Sequence, residues 1–223
     1  MGGPRWIIRE SKRGAIYADT STVSPAIASE VEREATARGI DYLRLPISGN
    51  AKQAHSADLT CFGSGPEAAW KRIKPVLETF SKAQIYLGAG GEAIYMKLVA
   101  NLVIVNTAQA IAEALALGRK AGLEWGLMLD TLSQSAVASP WLKAKAELLK
   151  RRDFTATMTT RLILKDIDLM LAAGNANDVP LPLTAMTRQI MQMSIGRGCG
   201  DEDYMAIVKL AEEQSGLSSE LTK

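Results

Sequence analysis

Lys97 and Asn101 stand four residues apart in an apolar run, the spacing that puts two side chains on one face of a helix. Burial lowers a lysine's pKa towards neutrality, which suits it to general acid/base work, and an asparagine beside it can donate to a substrate oxygen. A lysine that snorkels from an exposed helix has the same spacing, so the pair alone does not decide. Just before it, Gly88-Ala89-Gly90-Gly91-Glu92-Ala93 satisfies the G-x-G-x-x-G/A pattern, after a short β-rich run and at the start of a helical one. The helical pattern then continues through the point where a dinucleotide-binding unit returns to a second strand. Glu113, at about the right spacing for the ribose carboxylate, falls inside it. That argues against a pyrophosphate loop. The glycines suit either close backbone approach by a ligand, with helix N–H groups facing an anion, or a plain turn between domains.

Other chemistries have less to work with. The one histidine, His55, lies in the polar stretch Lys-Gln-Ala-His-Ser-Ala-Asp and reads as a surface residue. A Ser-His-Asp triad, a Cys-His pair or a multi-histidine metal site would each need it, so no metal site is expected. Cys61 and Cys199 are far apart in a chain that opens without a charged-then-apolar leader, which indicates neither a disulfide framework nor secretion. The compartment reads as cytoplasmic. Lys and Arg total 26 against 24 Asp and Glu, a net charge of +2, so nucleic acid and anionic membrane surfaces have no compositional support as partners. The longest apolar stretch, Leu98 to Leu117, carries Asn101, Asn106, Gln109 and Glu113, which argues against a membrane span. Small molecules and other subunits remain as partners.

The elements that position these residues change character along the 223 residues. Up to Gly88, four β-rich runs (Ala15 to Ala18, Tyr42 to Ile47, Leu59 to Phe62, Ile85 to Leu87) each lead into a turn. Between them, Pro25 to Arg38 and Pro66 to Lys82 have helical composition, with Pro75 a kink or break in the second. The first 14 residues show no clear period. After Gly91 the pattern is helical throughout, which divides the chain into an α/β part, 1–90, and an all-α part, 91–223. Glu92 to Ala121 forms one helix of roughly 45 Å, apolar on every face in its middle, which other helices or a second subunit must wrap. Leu102, Val103, Val105, Ala110, Ile111 and Leu115 span its circumference. Further helices are expected at Trp125 to Gln134, Pro140 to Lys150, Thr160 to Ala173, Leu183 to Met193 and Glu202 to Glu213.

Four stretches in order, from about Gly14 to Leu210, resemble the β-hydroxyacid dehydrogenase family, of the 3-hydroxyisobutyrate dehydrogenase type. They are Asp19-Thr20-Ser21-Thr22-Val23-Ser24-Pro25, Pro46-Ile47-Ser48-Gly49-Asn50, Gly88 to Asn101 with Lys97, and Leu164-Lys165-Asp166-Ile167-Asp168-Leu169. Glu113-Ala114-Leu115, Pro180 to Leu183 and Gly198 to Asp203 add support. The resemblance implies a Rossmann-like part followed by a helical domain built around one long helix. It implies an NAD- or NADP-dependent oxidoreductase acting on a small hydroxy or semialdehyde carboxylic acid. Lys97 would be the acid/base and Asn101 its partner; Ser48, Gly49 and Asn50 would bind substrate; Ser21, Thr22, Gly91 and Lys165 would approach the cofactor. Thr22 could instead cap a helix ahead of Pro25, and Lys165 with Asp166 could be an exposed ion pair.

The departures are Asn50 and Ala93, where the family has glycine, and Ala100, where it often has asparagine. A 6-phosphogluconate dehydrogenase is disfavoured because that branch resembles His-Asn-Gly where this chain has Ala100-Asn101-Leu102, and an imine reductase is disfavoured by Lys97. The family's opening strands and pyrophosphate turn have no counterpart before Gly14, so the first part is expected to be the C-terminal half of a cofactor domain, about four strands, from a shortened reading frame or a natural short relative. Activity of such a chain alone is doubtful. The competing expectation is a non-catalytic oligomerisation or ligand-binding module of the same descent. Either way the long apolar helix implies a homodimer or higher homo-oligomer.

Overall fold

In the computed structural model, which describes residues 5–218, the strand-like runs form one mixed sheet. β1 (Ile16–Asp19) pairs in parallel with β2 (Asp41–Arg44), and β4 (Leu59–Ser64) pairs in parallel with β5 (Ser81–Gly88). The run Tyr42 to Ile47, expected as one strand, is divided into β2 and β3 (Ile47–Ser48), which makes five strands. Pro46 is the cause, because it has no N–H to give to a ladder. The Leu45 N–H still donates to the Asp19 carbonyl of β1 at 2.7 Å, whereas the Pro46 carbonyl accepts from Phe62 of β4 at 3.0 Å. The chain thus changes partner across one peptide bond. Its antiparallel register on β4 is continuous, with Arg44 opposite Ser64, Ile47 opposite Cys61 and Ser48 opposite Thr60.

Alternation of side chains gives the sheet two apolar faces. Leu43, Leu45 and Cys61 pack with Ala69, Trp70 and Leu77 of α4 (Glu67–Leu77). Tyr42 packs with Val31 and Ala35 of α2 (Pro25–Ala37) and with Ile8 of α1 (Arg5–Glu10), a short helix where no element was expected. A Cβ added at Gly63 would lie 2.1 Å from the Trp70 ring, so this glycine lets α4 rest directly on β4. Ser24 rather than Thr22 caps α2, accepting from the Ile27 N–H. The expected helix Pro66 to Lys82 stops at Leu77, two residues past Pro75; Ser81 already opens β5 and donates its hydroxyl to the Leu77 carbonyl at 2.6 Å. A five-residue helix, α3 (Ala51–His55), ends in the exposed His55.

The chain divides into two compact units, one running up to Asn101 with Asn175–Asn177, the other holding Leu102–Gly174 and the residues from Asp178 on. α5 (Glu92–Lys120) runs from the first into the second. Its sides are unequal: Val105, Ile111 and Leu115 are buried and Leu102 half-buried, but Tyr95, Val99, Val103, Ala110 and Leu117 are exposed along one stripe. Asn106, half-buried on the side of this stripe, donates to the Thr184 hydroxyl and accepts from that of Thr187.

The second unit continues with α6 (Trp125–Leu132), α7 (Pro140–Lys150), α8 (Thr160–Ala176), α9 (Pro182–Gly196) and α10 (Ile207–Gln214). The helix expected from Glu202 starts only at Ile207, after two 3-10 turns. Asp203 is the reason. Its buried carboxylate accepts from Lys145, from the Thr157 N–H and hydroxyl and from the Met205 N–H, and this holds the chain out of α-helical geometry. A second buried carboxylate, Glu212 of α10, accepts from Arg119 of α5 and from both terminal nitrogens of Arg152 at 2.6–2.7 Å.

Candidate active site

One row of paired residues crosses four strands: Asp19 opposite Arg44, Arg44 opposite Ser64, Ser64 opposite Gly88. Three of the turns singled out in the sequence leave the sheet from this row. After β1, the buried Asp19 accepts from the Ser21 N–H at 3.0 Å and from the Tyr42 hydroxyl at 2.9 Å, so the Thr20-Ser21-Thr22 turn is tied to the sheet. Burial and the Asp19 carboxylate raise the Tyr42 phenol, which therefore stays a donor. Ser21 is exposed on this turn and Thr22 half-buried. Arg44, 2% exposed, is neutralised by a two-point bond to Glu32 at 3.1 and 2.7 Å.

At the other end of the row, β5 gives way to the glycine turn. Gly88 has φ +145°, and a Cβ there would lie 2.6 Å from the Glu92 carboxyl group. That carboxylate accepts from the Gly90 N–H at 2.7 Å, so α5 opens with its own first residue bonded back onto the turn. The Ala93 N–H donates to the Ser64 hydroxyl, and the Gly65 N–H to the Gly88 carbonyl. α5 then carries Lys97, half-buried, and Asn101, buried, on one face. Gly91 has room about it: a Cβ would meet only the Tyr95 ring, at 3.8 Å.

Ser48, Gly49 and Asn50 sit elsewhere in the first unit. Ser48 ends β3 opposite Thr60, four residues and about 13 Å along the sheet from the row. Gly49 has φ +135° and is exposed, while Ser48 is half-buried. Asn50 and Gln53 form a capping box at the start of α3: each side-chain oxygen accepts from the other's backbone N–H at 3.1 Å. Lys165 belongs to the second unit, where it is about half exposed and 2.8 Å from the buried Asp166 carboxylate. Sequence reasoning gave no role to Ser64 or to the Asp19 carboxylate. Their only visible signal was a polar residue in the last position of a strand, just before a turn.

Two family models match in sequence. Residues 2–88 match the NAD binding domain of 6-phosphogluconate dehydrogenase. Residues 91–211 match a model described as NAD-binding of NADP-dependent 3-hydroxyisobutyrate dehydrogenase. The chain is 35% identical to 2-(hydroxymethyl)glutarate dehydrogenase of Eubacterium barkeri over 219 residues, 98% of this chain and 73% of that protein. It is 27% identical to the human cytokine-like nuclear factor N-PAC over 93% of this chain and 37% of that protein. Among solved structures, the 3-hydroxyisobutyrate dehydrogenase of Salmonella typhimurium superposes with a TM-score of 0.85 at 28% identity, over 92% of this chain and 72% of that one.

Proposed function

The chain belongs to the β-hydroxyacid dehydrogenase family, and from that premise we propose that it oxidises a small acid whose hydroxymethyl group stands next to the carboxylate, giving the semialdehyde. 2-(Hydroxymethyl)glutarate and 3-hydroxyisobutyrate, the compounds in the names of two relatives, share that unit. Lys97 in its neutral form takes the alcohol proton as the C–H bond gives up its hydride, and returns the proton in the reverse direction. Asn101, buried one turn further on, holds the alcohol oxygen against the lysine nitrogen. The Ser48 hydroxyl and the backbone of Gly49, which carries no side chain to obstruct approach, receive the carboxylate.

The nicotinamide group, when bound, supplies the hydride acceptor. The donor set fits it in the first unit: the exposed Ser21 hydroxyl and Thr22 lie on a turn held rigid by Asp19, and Gly91 leaves open space at the start of α5. These residues orient the group; whether it is NAD or NADP is a matter for titration with each. The observation that carries the reading is the placement of Lys97 and Asn101 on one face of α5, directly after a turn bonded to the sheet.

A second reading, a binding module without turnover, draws on the likeness to a protein named as a nuclear factor rather than as a dehydrogenase. Nicotinamide fluorescence separates the two. Saturable binding of NADH or NADPH to the purified chain supports the enzyme, and none supports the module. In either case we propose a homo-oligomer that covers the stripe of Tyr95, Val99, Val103 and Leu117, of which Leu117 is 73% exposed. Light scattering that finds a monodisperse monomer contradicts this.

A further inference from the structure

We propose that Ser64 is a positioning residue for Lys97, fixing the start of α5 and through it the place of the lysine nitrogen; the proposal rests on the reading of Lys97 as the acid/base. The first N–H groups of a helix have no partner within it, and a side-chain oxygen just ahead of the helix ordinarily supplies one. Here Gly88, Ala89, Gly90 and Gly91 precede the helix, and none has such an oxygen. The part passes to Ser64, 29 residues upstream on β4, whose hydroxyl accepts from the Ala93 N–H at 3.2 Å.

Both partners are wholly buried, so water cannot replace the bond. Ser64 is itself held firmly. Its neighbours across the sheet are Arg44 and Gly88; Gly65, next in the chain, donates to the Gly88 carbonyl at 3.0 Å and accepts from the Tyr86 hydroxyl at 2.8 Å. The anchored residue is also the relevant one. Ala93, Lys97 and Asn101 are spaced by four, so the amide tied to the sheet lies on the face that carries the proposed chemistry. A shift or rotation of the helix start is passed along a rigid helix to Lys97, and acid/base transfer is sensitive to displacements of that size.

The test uses the full chain, with Ser64→Ala, Ser64→Thr and Lys97→Ala compared for oxidation of 3-hydroxyisobutyrate and 2-(hydroxymethyl)glutarate. Ser64→Ala is expected to lower kcat about tenfold, with KM within about twofold, and to move the pH profile of kcat; Ser64→Thr, which keeps the hydroxyl, restores both. Amide exchange at Ala93 should quicken in Ser64→Ala and not in Ser64→Thr. If Ser64→Ala loses stability but keeps kcat and its pH profile per folded molecule, Ser64 is only structural and the proposal is overturned. If Ser64→Ala does not fold, Ser64→Cys, a poorer acceptor, must show the same loss in smaller measure or the proposal falls. Undiminished turnover in Lys97→Ala overturns the reading of Lys97 itself, a result distinct from failure at Ser64.

Discussion

Lys97 and Lys145 are two partly or wholly buried lysines in the two units, and the molecule treats them in opposite ways. Lys145 is enclosed by its bonds: Thr157 at 2.8 Å, both Asp203 oxygens at 2.7–2.8 Å, and the Tyr204 ring 4.5 Å away. Burial lowers its pKa against the pull of Asp203. A perturbed pKa alone would single it out as the reactive lysine. Its geometry says otherwise, because a carboxylate, a hydroxyl and an aromatic ring already surround the ammonium, as they do at a structural joint. Lys97 is half-buried on a helix whose start is clamped to a glycine turn, beside a buried amide. Both units bury charge, Asp19 and Arg44 in the first and Lys145, Asp203 and Glu212 in the second, but the start of α5 is fixed by backbone N–H groups and the Ser64 hydroxyl. The proposed acid/base thus stands on a helix whose start is fixed to the sheet, and Lys145 stands at a structural joint.

The contrast breaks most visibly at the two lysines. Lys97→Ala should reduce turnover by a factor of at least about 100, the lower end of general acid/base effects, with the urea midpoint unchanged; a large stability loss would erase the distinction. Lys145→Met leaves the Asp203 carboxylate buried without its cation and should cost about 3 kcal/mol, read from urea unfolding, while the folded fraction turns over normally. Next in size is Gly88→Ala, which puts a Cβ where φ is +145° and the Glu92 carboxyl group sits. A loss of about 2 kcal/mol is expected, together with a fall in kcat, since this turn both supports and aims α5.

Much of this division was legible in the sequence, and what was not has a common cause. The glycine turn and the length of α5 follow from local chemistry: glycine at Gly88, where φ is positive, and no proline between Glu92 and Lys120, with no glycine before Gly118. The late start of α10 was hidden because it depends on Asp203 meeting Lys145, 58 residues away. Ser64 went unnoticed for the same reason, its partner being 29 residues downstream on another element. Composition indicated that α5 is apolar all round but not which of its side chains would be buried. The division at Pro46 could have been read from its missing N–H.

Smaller effects sharpen the comparison within the first unit. Ser48→Ala should raise KM for the acid about tenfold, or 1.4 kcal/mol, with a lesser change in kcat, because a carboxylate contact is present in ground and transition states alike. A pure kcat loss would move Ser48 into the chemical step. Least is expected from Glu32, whose carboxyl is held below its ordinary value by the hydrogen bond from Arg44. Such a group adds stability above its unfolded pKa, and that stability is lost as pH falls through the lower folded value. Glu32→Gln should therefore be slightly less stable than the parent at pH 7, by up to about 1 kcal/mol because the Glu32 side chain is 34% exposed although Arg44 is buried, with the gap closing below about pH 4.5. A constant gap would mean that the carboxylate's charge does no work there.

The most direct test of the central claim is nicotinamide-coupled oxidation of 3-hydroxyisobutyrate and 2-(hydroxymethyl)glutarate by the purified chain, followed by absorbance for the parent and for Lys97→Ala in parallel. Turnover with at least one acid and one nicotinamide, lost in Lys97→Ala while that variant remains folded, is the expected result. Turnover that survives the loss of Lys97, or a folded parent that oxidises neither acid with either nicotinamide, would contradict it.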